Sequence, residues 1–365
     1  MTELRDKIES LTTTANLLPE GPAKVAMLEE AVELADSLED VALAYSVRDE
    51  LMTAATFSGR SDILLTAFAW CVAQYDRNPE LFSQFELLWK YKWVTSHAGK
   101  FPEISRPQLE GLLQDMERRY REAGSSMFSV HLERRDLFVQ FGEKEAAQVA
   151  HTEFRNCKRD WLSDCAACVS SSNCGYFTFM EQWGQAVKTA EPVLAGKLTC
   201  AVQPHNILGK ILYPLFRLGR LEEAQTYHQQ GYRLVRRDNH FLHLQALHLQ
   251  YLSLIGELAK AKQLVERHLP AVMETVDPEH RFEFLAAARL WAARVTSRSS
   301  RKLKVQLPEG PPKPDENGKS DISELGEWFT QEATTIAKRF DSRNGTTSFQ
   351  QKLDTLPELL RLAVE

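Results

Sequence analysis

The sequence predicts an all-α chain: a solenoid of about seven antiparallel helix pairs, closed by a C-terminal capping helix. Three observations predict it. Apolar residues recur at three- and four-residue intervals almost throughout, as in KVAMLEEAVELADSL and RLEEAQTYHQQGYRLV, which is the period of a helix face. Strand signals are scarce. A glycine followed five residues later by an alanine also returns along the chain at a nearly constant distance, the mark of stacked supersecondary units.

Gly21 with Ala26 opens the series, and weaker copies begin at Gly59 and Gly99. Gly142 with Ala147 comes next, then a degenerate copy, Glu181 with Ala186. The clearest copies are Gly219 with Ala224 and Gly256 with Ala261. These anchors are spaced by 38, 40, 43, 39, 38 and 37 residues. Glycine at the anchor ends one helix, because left-handed backbone costs it little. The small alanine lets the next helix approach closely, and each hairpin buries a face on its neighbour. The repeats fill residues 1–297. Residues 298–321, RSSRKLKVQLPEGPPKPDENGKSD, are rich in Pro, Gly and charge and read as a linker or long loop. Residues 322–365 resume a helical pattern, with Leu325, Trp328, Phe329, Ile336 and Phe340 on one side and Asn344-Gly345 as a stop. They read as capping helices that hide the open core of the last repeat.

Gly219, Leu221, Ala224 and Tyr227, and again Gly256, Leu258, Ala261 and Leu264, follow the pattern at the middle of a tetratricopeptide repeat. Up to about residue 300 the chain resembles a tetratricopeptide-like array, with a period nearer 38 than 34 residues. The resemblance implies a right-handed superhelix whose groove takes protein segments. The chain is also similar to an uncharacterised group of bacterial repeat proteins with segments like LLWKYKW, CAAC, LTCAVQPH, GYRLVRRDN and FDSRNG. That likeness brings no activity with it.

Hydrophobic residues are 43%, charged residues 26% and the net charge −6, as in ordinary folded proteins. This balance argues against non-specific binding to nucleic acid or acidic membranes, which needs a basic surface. The N-terminal stretch lacks the pattern of a signal peptide, and no apolar run is long enough to span a membrane. A cytoplasmic location is expected, where thiols stay reduced.

Three of the six cysteines, Cys165, Cys168 and Cys174, fall in DWLSDCAACVSSSNCGYF, and GKLTCAVQPHNILGK supplies Cys200 and His205. Cys165 to Cys200 is 35 residues and Cys168 to His205 is 37, both close to the repeat length. Equivalent loops of stacked hairpins lie side by side, about 8–10 Å apart. Two ligand pairs therefore meet, and three thiolates with one imidazole suit a structural zinc. The alternatives are ordinary buried thiols and a redox-active pair. Cys174 is the first substitute ligand, while Cys71 and Cys157 read as packing residues.

In LLWKYKWVTSHAGKFP, Trp89, Tyr91 and Trp93 alternate with Lys90 and Lys92. Such a mix can bind peptides or bases, yet Trp89 and Trp93 share a helix face and also fit a core. Lys92 and Arg135 each stand seven residues before their anchors, and Arg48 lies near the equivalent place. A basic ladder of Arg48, Lys92 and Arg135, with Trp89, would suit an acidic peptide in the groove; the alternative is solvated surface charge. His240 and His243 have metal-pair spacing, but nothing completes the set. Nucleotide-loop, hydrolase-elbow and zinc-protease motifs are missing. A protein- or peptide-binding scaffold without catalysis is expected. A sensor of a small ligand or signalling peptide is second, and an enzyme using the thiol loop third.

Overall fold

The computed structural model describes residues 2–298 and 302–363. Of the regions above, residues 1, 299–301 and 364–365 lie outside the described residues. Among the described residues the chain forms nineteen α-helices, two single 3-10 turns and one two-stranded antiparallel pair. No helix among them is long and apolar enough to cross a membrane.

The chain divides into two compact units. The first comprises Met1–Lys100, Pro107–Glu133 and Glu153–Ser163. It contains α1 (Thr2–Leu17), α2 (Pro22–Asp36), α3 (Val41–Phe57), α4 (Ser61–Arg77), α5 (Gln84–Ala98) and all but the first residue of α6 (Arg106–Glu122). Each helix from α1 to α4 touches the next in sequence. The local causes are ordinary. The Asp40 carboxylate accepts the Leu43 N–H at 3.0 Å and starts α3. Ser83 does the same for the Glu86 N–H at 3.3 Å, in a Ser-x-x-Glu sequence that opens α5.

α7 (Phe128–Phe141) and α8 (Lys144–Asn156) contribute residues to both units. The second unit comprises Phe101–Arg106, Arg134–Thr152 and Asp164–Glu365. It holds α9 (Ala166–Phe179), α10 (Trp183–Leu194), α11 (His205–Lys210), α12 (Leu212–Arg217), α13 (Leu221–Val235), α14 (Leu242–Leu254), α15 (Leu258–Glu274) and α16 (Pro278–Ser297). After them come α17 (Ile322–Asn344), α18 (Ser348–Asp354) and α19 (Leu356–Leu362). α9 packs on α10, α12 on α13, α14 on α15, and α16 on α17. In addition α9 touches α11, α11 touches α14, and α14 touches α16, so alternate helices lie side by side. α11 and α12 are one rod interrupted by Pro214, whose missing N–H removes the bond to the Lys210 carbonyl.

The anchors occupy the turns between successive helices. Gly59, Gly142, Gly219 and Gly256 have φ of 71°, 81°, 72° and 78°, and Glu181 reaches 59° in the same role. That conformation costs a non-glycine residue roughly 1–2 kcal/mol, so the degenerate copy keeps the turn at an expense. Gly99 instead caps its helix at φ −59°. Ala147, Ala186, Ala224 and Ala261, five residues past their anchors, are fully buried. Ala26 is exposed and Val25 takes the buried place, because Gly21 is itself the N-cap of α2 and the register slips by one.

β1 (Lys302–Leu303) and β2 (Ser320–Asp321) pair Lys302 with Asp321 and Leu303 with Ser320. Val305 joins a core of residues from α14 to α18, where Phe329, Phe340 and Phe349 are buried.

Candidate metal centre

Cys165 is the N-cap of α9, and its Sγ accepts the Cys168 N–H at 3.3 Å. An N-cap and the residue three later share one side of a helix start, so Cys-x-x-Cys turns both sulfurs the same way. Cys200 lies in a tight turn before α11. Its N–H and carbonyl bond the carbonyl and N–H of Gln203 at 3.5 and 3.2 Å, and the buried Gln203 side chain accepts the Ile207 N–H at 3.1 Å. Because α9 packs beside α11, the two segments meet. Cys168 Sγ and Cys200 Sγ are 3.4 Å apart, and the sulfurs of Cys165, Cys168 and Cys200 all lie within 4.8 Å of one another. These three cysteines could hold a metal ion. Cys165 is exposed, and the other two are half-buried.

Burial pushes the Cys168 thiol well above its usual range, and hydrogen bonds with Cys200 and Cys165 push it further. A thiol held protonated is a poor nucleophile. A divalent cation at the same point would reverse the balance by stabilising the thiolates.

His205 is outside this group. It is the first residue of α11, with its ring stacked on Phe241 at 5.3 Å, and burial lowers its pKa against an opposing pull from Asp238. Cys174 is fully buried inside α9, and burial raises its thiol to about 11. Cys71 is buried in α4.

Arg48 is 9% exposed, Lys92 2% and Arg135 0%. Arg48 makes two bonds to Asp36, at 2.8 and 2.6 Å, and lies 4.0 Å from the Trp70 ring centroid. Lys92 donates to the Leu162 carbonyl at 2.9 Å and sits 3.3 Å over Trp89. Arg135 binds Asp136 at 2.8 Å, Asn173 at 2.6 Å and the Ser172 hydroxyl. The register explains this: Met52, Cys174, Leu212 and Leu249, also seven residues before their anchors, are core residues. A partner could reach these cations only by replacing the bonds they already make.

Trp89 is half-buried beside Phe85, with centroids 5.7 Å apart, and Phe85 lies 5.6 Å from Trp161. Phe85 is 40% and Trp161 49% exposed. Sequence reasoning passed over Trp161 because it precedes the thiol loop outside any helical pattern. It also passed over a buried imidazole cluster. His228 Nδ1 and His248 Nδ1 share a hydrogen bond at 3.0 Å, and His268 Nε2 meets the Tyr232 hydroxyl at 3.0 Å. The available signal was three histidines on the apolar stripes of α13, α14 and α15.

No protein-family model matches this chain, and no curated protein matches it.

Proposed function

We propose that the chain is a protein- or peptide-binding helical-repeat scaffold. In this reading it is a right-handed, tetratricopeptide-like superhelix of about seven antiparallel helix pairs. A zinc ion held by Cys165, Cys168 and Cys200 fastens α9 to the loop before α11. The observation that carries the reading is the recurrence of one turn: left-handed anchors at 59, 142, 181, 219 and 256, four of them followed by a buried alanine. A repeat of that kind builds extended binding surfaces. Phe85, Trp89 and Trp161 would meet a partner first, since partly exposed aromatic clusters are the usual anchors of such contacts. An acidic partner segment would compete with Asp36 for Arg48 and with the present acceptors of Lys92 and Arg135. The test is capture by the full-length protein from native lysate, compared with a Phe85→Ser, Trp161→Ser double variant. A stoichiometric protein partner lost in the variant supports the reading, and equal capture by both proteins counts against this surface.

One observation favours a small-ligand sensor as the second reading. A cavity of about 610 Å³ lies among α16, α17 and α19, with Ala292, Ile322, Gly326 and Leu356 in its wall and Glu327 also lining it. Arg289 lines it as well, half-buried, with its guanidinium bonded to the Leu353 carbonyl at 2.8 Å and no carboxylate in ion-pair range among the described residues. An amphipathic carboxylate suits that combination. Saturable thermal stabilisation by octanoate, lost in Arg289→Gln, would support it.

A further inference from the structure

We propose that the metal at Cys165, Cys168 and Cys200 keeps its fourth coordination position open and takes there the thiolate of a low-molecular-weight thiol. The proposal rests on the reading of these cysteines as a zinc site.

Zinc in a closed structural site takes four protein donors, whereas three donors leave a position for a ligand from outside. Among the described residues, only three donors converge here. The spacing offered two further donors, and neither joins the group: His205 turns its ring onto Phe241, with 6° between the planes and its Nδ1 buried without a hydrogen-bond partner, and Cys174 is buried inside α9. The fourth position is reachable, because Cys165 is exposed and Cys168 and Cys200 are half-buried.

Two features favour sulfur as the incoming atom. Three thiolates make the zinc soft, and a soft ion prefers a further soft donor to water. The site also sits at the N-terminus of α9, where the helix dipole favours added negative charge. The step balances without a redox partner: the thiol loses its proton to solvent, its sulfur bonds the metal, and the water there leaves.

The probe is full-length protein loaded with cobalt(II) in a thiol-free buffer containing a phosphine reductant. Tetrahedral ligand-field bands are expected at once. Adding β-mercaptoethanol should raise the sulfur-to-cobalt charge-transfer band saturably by about one third, as three sulfurs become four. X-ray absorption on the zinc form should likewise move from three sulfurs and one lighter donor to four sulfurs. His205→Ala should leave the thiol-free spectrum unchanged. A spectrum indifferent to added thiol, or one altered by His205→Ala, overturns the open position while leaving the metal site intact. Absence of any tetrahedral cobalt band would instead overturn the metal reading itself, and this inference with it.

Discussion

The helices α3 to α6 and the helices α13 to α15 both bury polar side chains, and they do so by opposite means. In α3 to α6 three buried cations each have a carboxylate and an aromatic face. Arg48 has Asp36 and Trp70, Lys90 has Asp49 at 3.1 Å and Trp93 at 5.1 Å, and Arg119 has Asp76 at 2.7 Å and Tyr91 at 5.8 Å. Ring faces attract cations, and ion pairing offsets part of the desolvation cost. In α13 to α15 three buried imidazoles, His228, His248 and His268, bond each other or Tyr232. Burial pushes His228 and His268 down to about 4 and His248 well below the usual imidazole range. The first region keeps its charge by supplying counter-charges, and the second gives its charge up. Only the second should respond to mild acid.

That contrast sets the largest expected effect. The imidazoles titrate near 6.5 when unfolded and lower when folded, so the unfolded state binds more protons between those values. Their stabilisation is complete above pH 6.5 and is lost as pH falls towards 4, at up to about 1.4 kcal/mol per pH unit for each. Denaturant midpoints taken from pH 7 to 4.5 should fall steeply in the wild type and less in His228→Phe. A flat profile over that range would erase the distinction.

Next in size is the loss of counter-charge around Arg119. Replacing Asp76 and Asp115 together by Ala leaves a buried guanidinium without its carboxylates. Equilibrium unfolding should show a loss of roughly 3 kcal/mol. Smaller again is Gly231→Ala in α13. An added Cβ would lie 2.9 Å from Leu208 Cβ and 3.1 Å from His248 Nε2. Overpacking should cost about 1–3 kcal/mol in the same assay, although alanine is the better helix former. The smallest effect is Arg5→Ala. Its ion pair with Asp40, at 2.6 Å, joins an exposed guanidinium to a half-buried carboxylate at the surface, so unfolding stability should fall by no more than about 0.5–1 kcal/mol.

The helical architecture could be read from the chain because its punctuation is chemical. A left-handed turn favours glycine, and close helix approach favours alanine, so Gly219-Ala224 and Gly256-Ala261 mark their own positions. Charge was harder to place. Lys92 and Arg135 look like surface residues by type, and only the register shared with Leu212 and Leu249 reveals an inward position. At the thiol cluster the repeat length correctly brought Cys200 to Cys165 and Cys168. It could not say which way His205 points. Repeat spacing fixes which segments become neighbours, whereas the ring direction is set by Phe241, which lies in the following repeat.

The pairing of Lys302 with Asp321 and Leu303 with Ser320 has a practical consequence. The two ends of that segment are clamped together, and Val305 and Leu307 between them pack on the helical core, whereas the turn at 315–318 stands clear of it. Glu316, Asn317 and Gly318 sit at its exposed tip. A fluorescent protein or affinity handle grafted between Asn317 and Gly318 would enter and leave the chain at nearly the same point, leaving α16 and α17 in register.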